Sequence, residues 1–162
     1  NGKTSGAGSP PYLVLAGGDF TKLDVRYPIL AEVRQLIQQL DLEDEVVFTG
    51  YYEDEHAVDL LNGASLFVHL SLYEGFGFSP LEAMKCGVPV VASNRSCYPE
   101  VLGDGALQVD PDNEKKVAEA CKRLLTDAEA SERLSDAGKK QAAAYTWDST
   151  AKGVYKVLQE AA

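Results

Sequence analysis

Short apolar runs alternate along this chain with segments of helical periodicity. Tyr12-Leu-Val-Leu-Ala16 is a continuous apolar run closed by Gly17-Gly18, the pattern of a buried parallel strand ending in a tight turn. From Tyr27 to Leu40, the residues Ile29, Leu30, Val33, Leu36, Ile37 and Leu40 recur at steps of three and four, which predicts an amphipathic helix. Val46-Val-Phe-Thr49 with Gly50 predicts the next strand and its exit. Glu53-Asp-Glu55 then opens a short helix, its acidic residues suited to the positive end of the helix dipole. Leu66-Phe-Val-His-Leu70 and Val88-Pro-Val-Val-Ala92 predict two further strands around a helix. Asn94-Arg-Ser-Cys-Tyr-Pro-Glu100 has the composition of a loop, and Ala106-Leu-Gln-Val109 that of a short strand closed by Asp110-Pro111. From Asn113 to Ala162 the pattern is helical, with breaks near Asp127 and at Thr146-Trp147-Asp148. Trp147, Val154, Tyr155 and Leu158 give the last helix an apolar face, which is expected to pack against the core.

Strands and helices alternating at this spacing predict an α/β fold with a doubly wound parallel sheet. Such sheets bind their ligands at the carboxyl ends of the strands. The expected organisation is a flexible lead or surface loop over 1–11, an α/β domain over 12–146 and a terminal helix over 147–162.

Composition narrows the classes of partner. The 162 residues are 45% hydrophobic and 25% charged, the mixture of a soluble globular domain with a sizeable core. The net charge of -10 opposes phosphate backbones and anionic lipid, so neither nucleic acid nor a membrane surface is an expected partner. No apolar run approaches the roughly 18 residues of a membrane helix, and NGKTSGAGSPP has no signal-peptide core, so a cytoplasmic location is expected. Cys86, Cys97 and Cys121 are odd in number and widely spaced, unlike a disulfide framework or a zinc site. His56 and His69 are isolated, and His69, inside LFVHL, reads as a hydrogen-bonded core residue. Neither a metal nor a cofactor is expected.

Chemistry concentrates in Ser71-Leu-Tyr-Glu-Gly-Phe-Gly-Phe-Ser-Pro-Leu-Glu82, between a strand exit and a helix start. Gly75 and Gly77 permit backbone angles and a close ligand approach that side chains would block. Ser79 suits an N-cap and Pro80 the first helical position. Ser79-Pro-Leu-Glu82 is also a capping box, in which Glu82 would only reach back to the N-cap amide. Glu74 is claimed by no cap or helical charge pair and is expected to face a ligand. The stretch is neither a G-x-G-x-x-G dinucleotide fingerprint nor a phosphate-binding loop of the Walker kind.

The longer segment EGFGFSPLEAMKCGVPVVA resembles the E-x7-E signature of retaining glycosyltransferases of the GT-B fold, the large group called family 4 or group 1. LVLAGG, VVFTGYYEDE, LFVHLSLYEGFG and SNRSCYPEVLGDGALQVDPDN match in the same order, over roughly residues 12 to 126. The resemblance implies a Rossmann-like domain, one half of a GT-B fold, that binds a nucleotide-diphosphate sugar while an N-terminal domain holds the acceptor. Glu74 would contact the donor sugar, and the Gly17-Gly18 turn and the backbone of Gly75, Phe76, Gly77, Phe78 and Ser79 would lie about the donor. Glu82 would accept hydrogen bonds from the ribose. Tyr51 and Tyr52 match a segment that lines the base, or form an aromatic lid on the sheet edge. No metal is implied.

Relatives carry a strand with an arginine, then a lysine and a helix, upstream of the strand that here is Tyr12 to Ala16. The chain therefore resembles a donor domain lacking its first strand and helix, inactive by itself, with the gap filled by another chain or by a second copy in a homodimer. The resemblance leaves two alternatives: a nucleotide-sugar epimerase of the same fold, and a non-catalytic binding module.

Overall fold

A computed structural model of the chain describes residues 11–18 and 28–161. Most of the expected flexible lead, together with Tyr27 and Ala162, lies outside them. The chain divides into two compact units, Asn1–Ala57 and Val58–Ala162.

In the first unit, β1 (Leu13–Ala16) runs parallel to β2 (Val46–Gly50), with α1 (Pro28–Gln39) between them in sequence. Gly17 follows β1 with φ 96°, a left-handed conformation that a side chain would strain. Its amide donates to the Thr49 hydroxyl at 3.2 Å. Of the expected helical face, Leu30, Val33 and Ile37 are half-buried, while Ile29, Leu36 and Leu40 are exposed. The expectation of a buried β1 is not met, because Leu13 and Val14 are 53% and 47% exposed. Among the described residues β1 has a strand partner on one edge only.

The second unit holds the core. α2 (Asp54–Gly63) leads into a parallel sheet of β3 (Phe67–His69), β4 (Val90–Ser93) and β5 (Leu107–Val109), in the order β3-β4-β5. β4 is buried throughout. Val90 and Ala92 face a cluster with Leu81, Met84, Tyr98 and Leu102, whereas Val91 faces the opposite cluster with Val109, Ala120 and Leu124. Two-residue alternation thus serves two helical layers, which is why the VVA run carries no polar side. α3 (Phe78–Lys85) and α4 (Tyr98–Leu102) contribute to the first cluster, α5 (Glu114–Thr126) to the second, and α6 (Ala128–Ala143) to both, through Ala142 and Ala130. Asn113 caps α5 by accepting from the Lys116 amide, and Asp127 caps α6 by accepting from that of Ala130.

This architecture is the expected α/β fold of parallel sheets. No pairing joins β1 to β3 among the described residues.

Two local expectations are corrected. Tyr98, placed in a loop by its composition, begins α4, with Pro99 in the first turn, where its missing N–H costs no hydrogen bond. The last helix, α7 (Trp147–Glu160), buries none of its residues, and Trp147 is 79% exposed. Its apolar face is not core: Phe78 stacks on Trp147, while Val154, Tyr155 and Leu158 stay exposed.

Candidate functional site

The loop leaving β3 enters α3 at the carboxyl edge of the sheet, beside the loop leaving β4. α3 begins two residues earlier than its sequence suggests. Gly77, at φ 92° and ψ 53°, is the N-cap, and Ser79 lies within the first turn without a capping hydrogen bond. The capping box therefore does not form, and both Ser79 and Glu82 are exposed. Two features favour the earlier start. Gly77 alone tolerates the left-handed angle, and Pro80 loses nothing in the first turn, where amides have no helical partner. A Cβ on Gly77 would stand 2.8 Å from Cε1 of Tyr98, so the ring beneath the loop also demands glycine here.

The early start leaves a row of donors. The amides of Phe76, Gly77, Phe78 and Ser79 have no hydrogen-bond partner among the described residues. They sit at the positive end of the helix dipole, where an anion or a hydroxyl-rich ligand is stabilised.

Glu74 is held from two sides. Its Oε1 lies 3.4 Å from Nε2 of His69, and its amide and carbonyl both bond the Ser96 hydroxyl, at 3.1 and 2.8 Å. His69, read from sequence as a core histidine, is half-buried between Phe67 and Tyr98, with ring centroids at 6.0 and 5.9 Å. It is hydrogen-bonded, as expected, and its partner is the site carboxylate. The Glu74 side chain keeps 39% of its surface exposed, so one edge remains open to a ligand.

Tyr98 closes the floor. Its ring is fully buried, and its phenol oxygen finds no hydrogen-bond partner. Burial first, then the nearby Glu74 carboxylate and Cys97, push this phenol up to about 12. Ser71 is near enough to offset part of that rise, but its hydroxyl donates to the Tyr73 carbonyl at 3.1 Å. Further along the same edge, Arg95 is paired with Asp112 at 2.5 Å and Asp110 at 2.9 Å. These partners raise its pKa above the ordinary guanidinium value and absorb its charge within the protein.

An aromatic chain flanks the loop. Phe76 lies against Phe78 and Tyr145, with centroids at 5.0 and 5.6 Å, and Phe78 stacks on Trp147 at 6.4 Å. The structure thus brings together Glu74, Gly75, Phe76, Gly77, Phe78, Ser79 and Glu82 of the expected site. The Glu82 carboxylate has no partner among the described residues. Gly17, Gly18, Tyr51 and Tyr52 belong to the first unit, where Tyr51 is exposed and Tyr52 half-buried. The Gly17 amide is already committed to Thr49.

Ser96 and Tyr98 escaped the sequence reading. The signal available was topological: they leave the strand that neighbours β3, so their loop must lie beside that of Glu74. Cys86, Cys97 and Cys121 are free and half-buried. Among the described residues no group of three or more His, Cys, Asp or Glu could hold a metal, and no helix is long and apolar enough to cross a membrane.

Parallel strands joined through helices, with a loop that enters a helix at their carboxyl edge, define a domain of the Rossmann-like type. The sequence profile described as glycosyl transferases group 1 matches residues 7–141, and the chain belongs to that family. It is 35% identical over 133 residues to O-antigen chain mannosyltransferase B of Escherichia coli, covering 76% of this chain and 35% of that protein. Among solved structures, sucrose-phosphate synthase from Thermosynechococcus elongatus superposes with a TM-score of 0.78 at 28% identity, over 93% of this chain and 39% of that one. The Anabaena protein HepE, in complex with UDP-glucose, gives a TM-score of 0.81 at 24% identity, over 93% and 42%. The chain thus spans about a third of the length of this mannosyltransferase, and its architecture is that of the C-terminal, Rossmann-like domains of GT-B glycosyltransferases.

Proposed function

We propose that this chain is the donor-binding half of a retaining glycosyltransferase, which moves a sugar from a nucleotide-diphosphate sugar to an acceptor. The observation that carries the proposal is Glu74, fixed at the exit of β3 with an open carboxylate edge beside the free amides of Phe76 to Ser79. In this reading Glu74 accepts hydrogen bonds from the donor sugar's hydroxyls. The free amides face the diphosphate and stabilise the charge that grows on it as the glycosidic bond breaks. Glu82, unclaimed by any cap, accepts from the ribose. Glu74 binds and positions the sugar and is not assigned a nucleophilic attack. The diphosphate is left to help deprotonate the acceptor on the face it departs from.

The acceptor site lies outside this chain, which by itself is expected to bind the donor without efficient transfer. The exposed apolar face of α7 supports packing against a further domain or chain. Mannosyl donors are the first to try, given the mannosyltransferase to which the chain is similar.

Isothermal titration of the chain with GDP-mannose, UDP-glucose, GDP and UDP tests the proposal. Saturable one-to-one binding of one nucleotide sugar, tighter than its bare nucleotide, is the expected result. Failure of all four compounds to bind would overturn it.

A further inference from the structure

Ser96 occupies an unusual position for a serine. Its φ is 57°, in the left-handed region that non-glycine residues seldom enter, three residues past the end of β4. From there its single hydroxyl serves both backbone polar groups of one distant residue, accepting from the Glu74 amide and donating to the Glu74 carbonyl. A hydroxyl has the donor and the two lone pairs this requires. The same Glu74 has its carboxylate 3.4 Å from His69 on β3. The backbone is thus pinned from the β4 loop and the side chain from the β3 strand.

We infer that Ser96 is a positioning residue for Glu74, setting the orientation in which its carboxylate meets the donor sugar. This rests on the reading of Glu74 as a sugar contact. The physical reason is preorganisation. A glutamate on a loop flanked by Gly75 pays conformational entropy to meet a ligand, and a residue that holds its peptide in advance removes part of that cost. A loop staple of purely structural purpose would serve the fold equally well wherever the carboxylate pointed. Sugar recognition separates the two roles.

The test uses Ser96→Gly and Ser96→Ala, each compared with Glu74→Gln and the corresponding double variants. Glycine removes the hydroxyl while relaxing the left-handed backbone, so a loss it shares with alanine belongs to the hydroxyl. The quantity measured is the ratio of affinities for GDP-mannose over GDP and for UDP-glucose over UDP, with thermal midpoints recorded alongside. Ser96→Gly is expected to lower the sugar's contribution about three- to tenfold, the worth of one net hydrogen bond. Affinity for the bare nucleotide stays unchanged, and Ser96→Gly adds nothing further once Glu74 is glutamine. A full sugar preference in Ser96→Gly overturns the positioning role while leaving the donor-site reading intact. So does a loss that adds independently to that of Glu74→Gln. No sugar preference in the unmodified protein overturns both readings together.

Discussion

Tyr98 is the residue whose environment is least comfortable. A phenol buried without a partner forgoes hydration and gains no bond, at a cost of about 1–3 kcal/mol. Tyr98→Phe keeps the ring that packs under Gly77 and edges His69, and is expected to raise stability at pH 7 by about 1 kcal/mol in urea unfolding. The pH dependence follows from the same burial. The folded protein holds the phenol proton up to about 12, whereas the unfolded chain releases it near 10. Stability from this group is complete below the unfolded value and is lost as pH rises from about 10 through about 12. The phenylalanine variant should lack that alkaline loss, so its advantage widens at pH 11; a wild type more stable than the variant at pH 7 would contradict this account. Nothing in the one-dimensional pattern marks Tyr98 for this role. Its neighbours Cys97 and Pro99 suggest a loop, and only the folded sheet sets it beneath the glycines of β3's exit.

At the scale of elements, the start of α3 decides what the loop offers. Local rules favour Ser79 as cap, since its side chain is a good acceptor and Pro80 follows it. Packing decides otherwise, because the Tyr98 ring and the left-handed angle select Gly77 and leave the Ser79 hydroxyl and the Glu82 carboxylate exposed and uncommitted. Gly77→Ala should therefore cost about 1–3 kcal/mol from the backbone angle alone, with the clash against Tyr98 added. A lowered urea midpoint checks this, and an unchanged midpoint would show that α3 can begin elsewhere. Most strands and helices were legible from periodicity, with boundaries shifted by a residue or two. The burial of β1 and α7 was not. Leu13, Val14 and Trp147 have the apolar character of core residues, and their exposure depends on what covers them, which no local pattern encodes.

At the scale of the molecule, the residues of the expected donor site fall into two groups, Gly17 to Tyr52 in one compact unit and Glu74 to Glu82 in the other. The second group was legible because its chemistry is contiguous in sequence: a strand exit, two glycines and a helix start within twelve residues, Ser71 to Glu82. Its supports were not: Ser96 reaches Glu74 only through the parallel pairing of β3 with β4, and His69, five residues upstream on β3, only once the loop folds back on the strand. The central claim is that Glu74 recognises the sugar of a nucleotide-diphosphate donor. Its most direct test compares Glu74→Gln with the unmodified protein in calorimetric titrations with the preferred nucleotide sugar and with its bare nucleoside diphosphate. Loss of one charged hydrogen bond should weaken the nucleotide sugar about 10- to 100-fold and leave the diphosphate unaffected. Equal affinity of both proteins for the nucleotide sugar would contradict the claim.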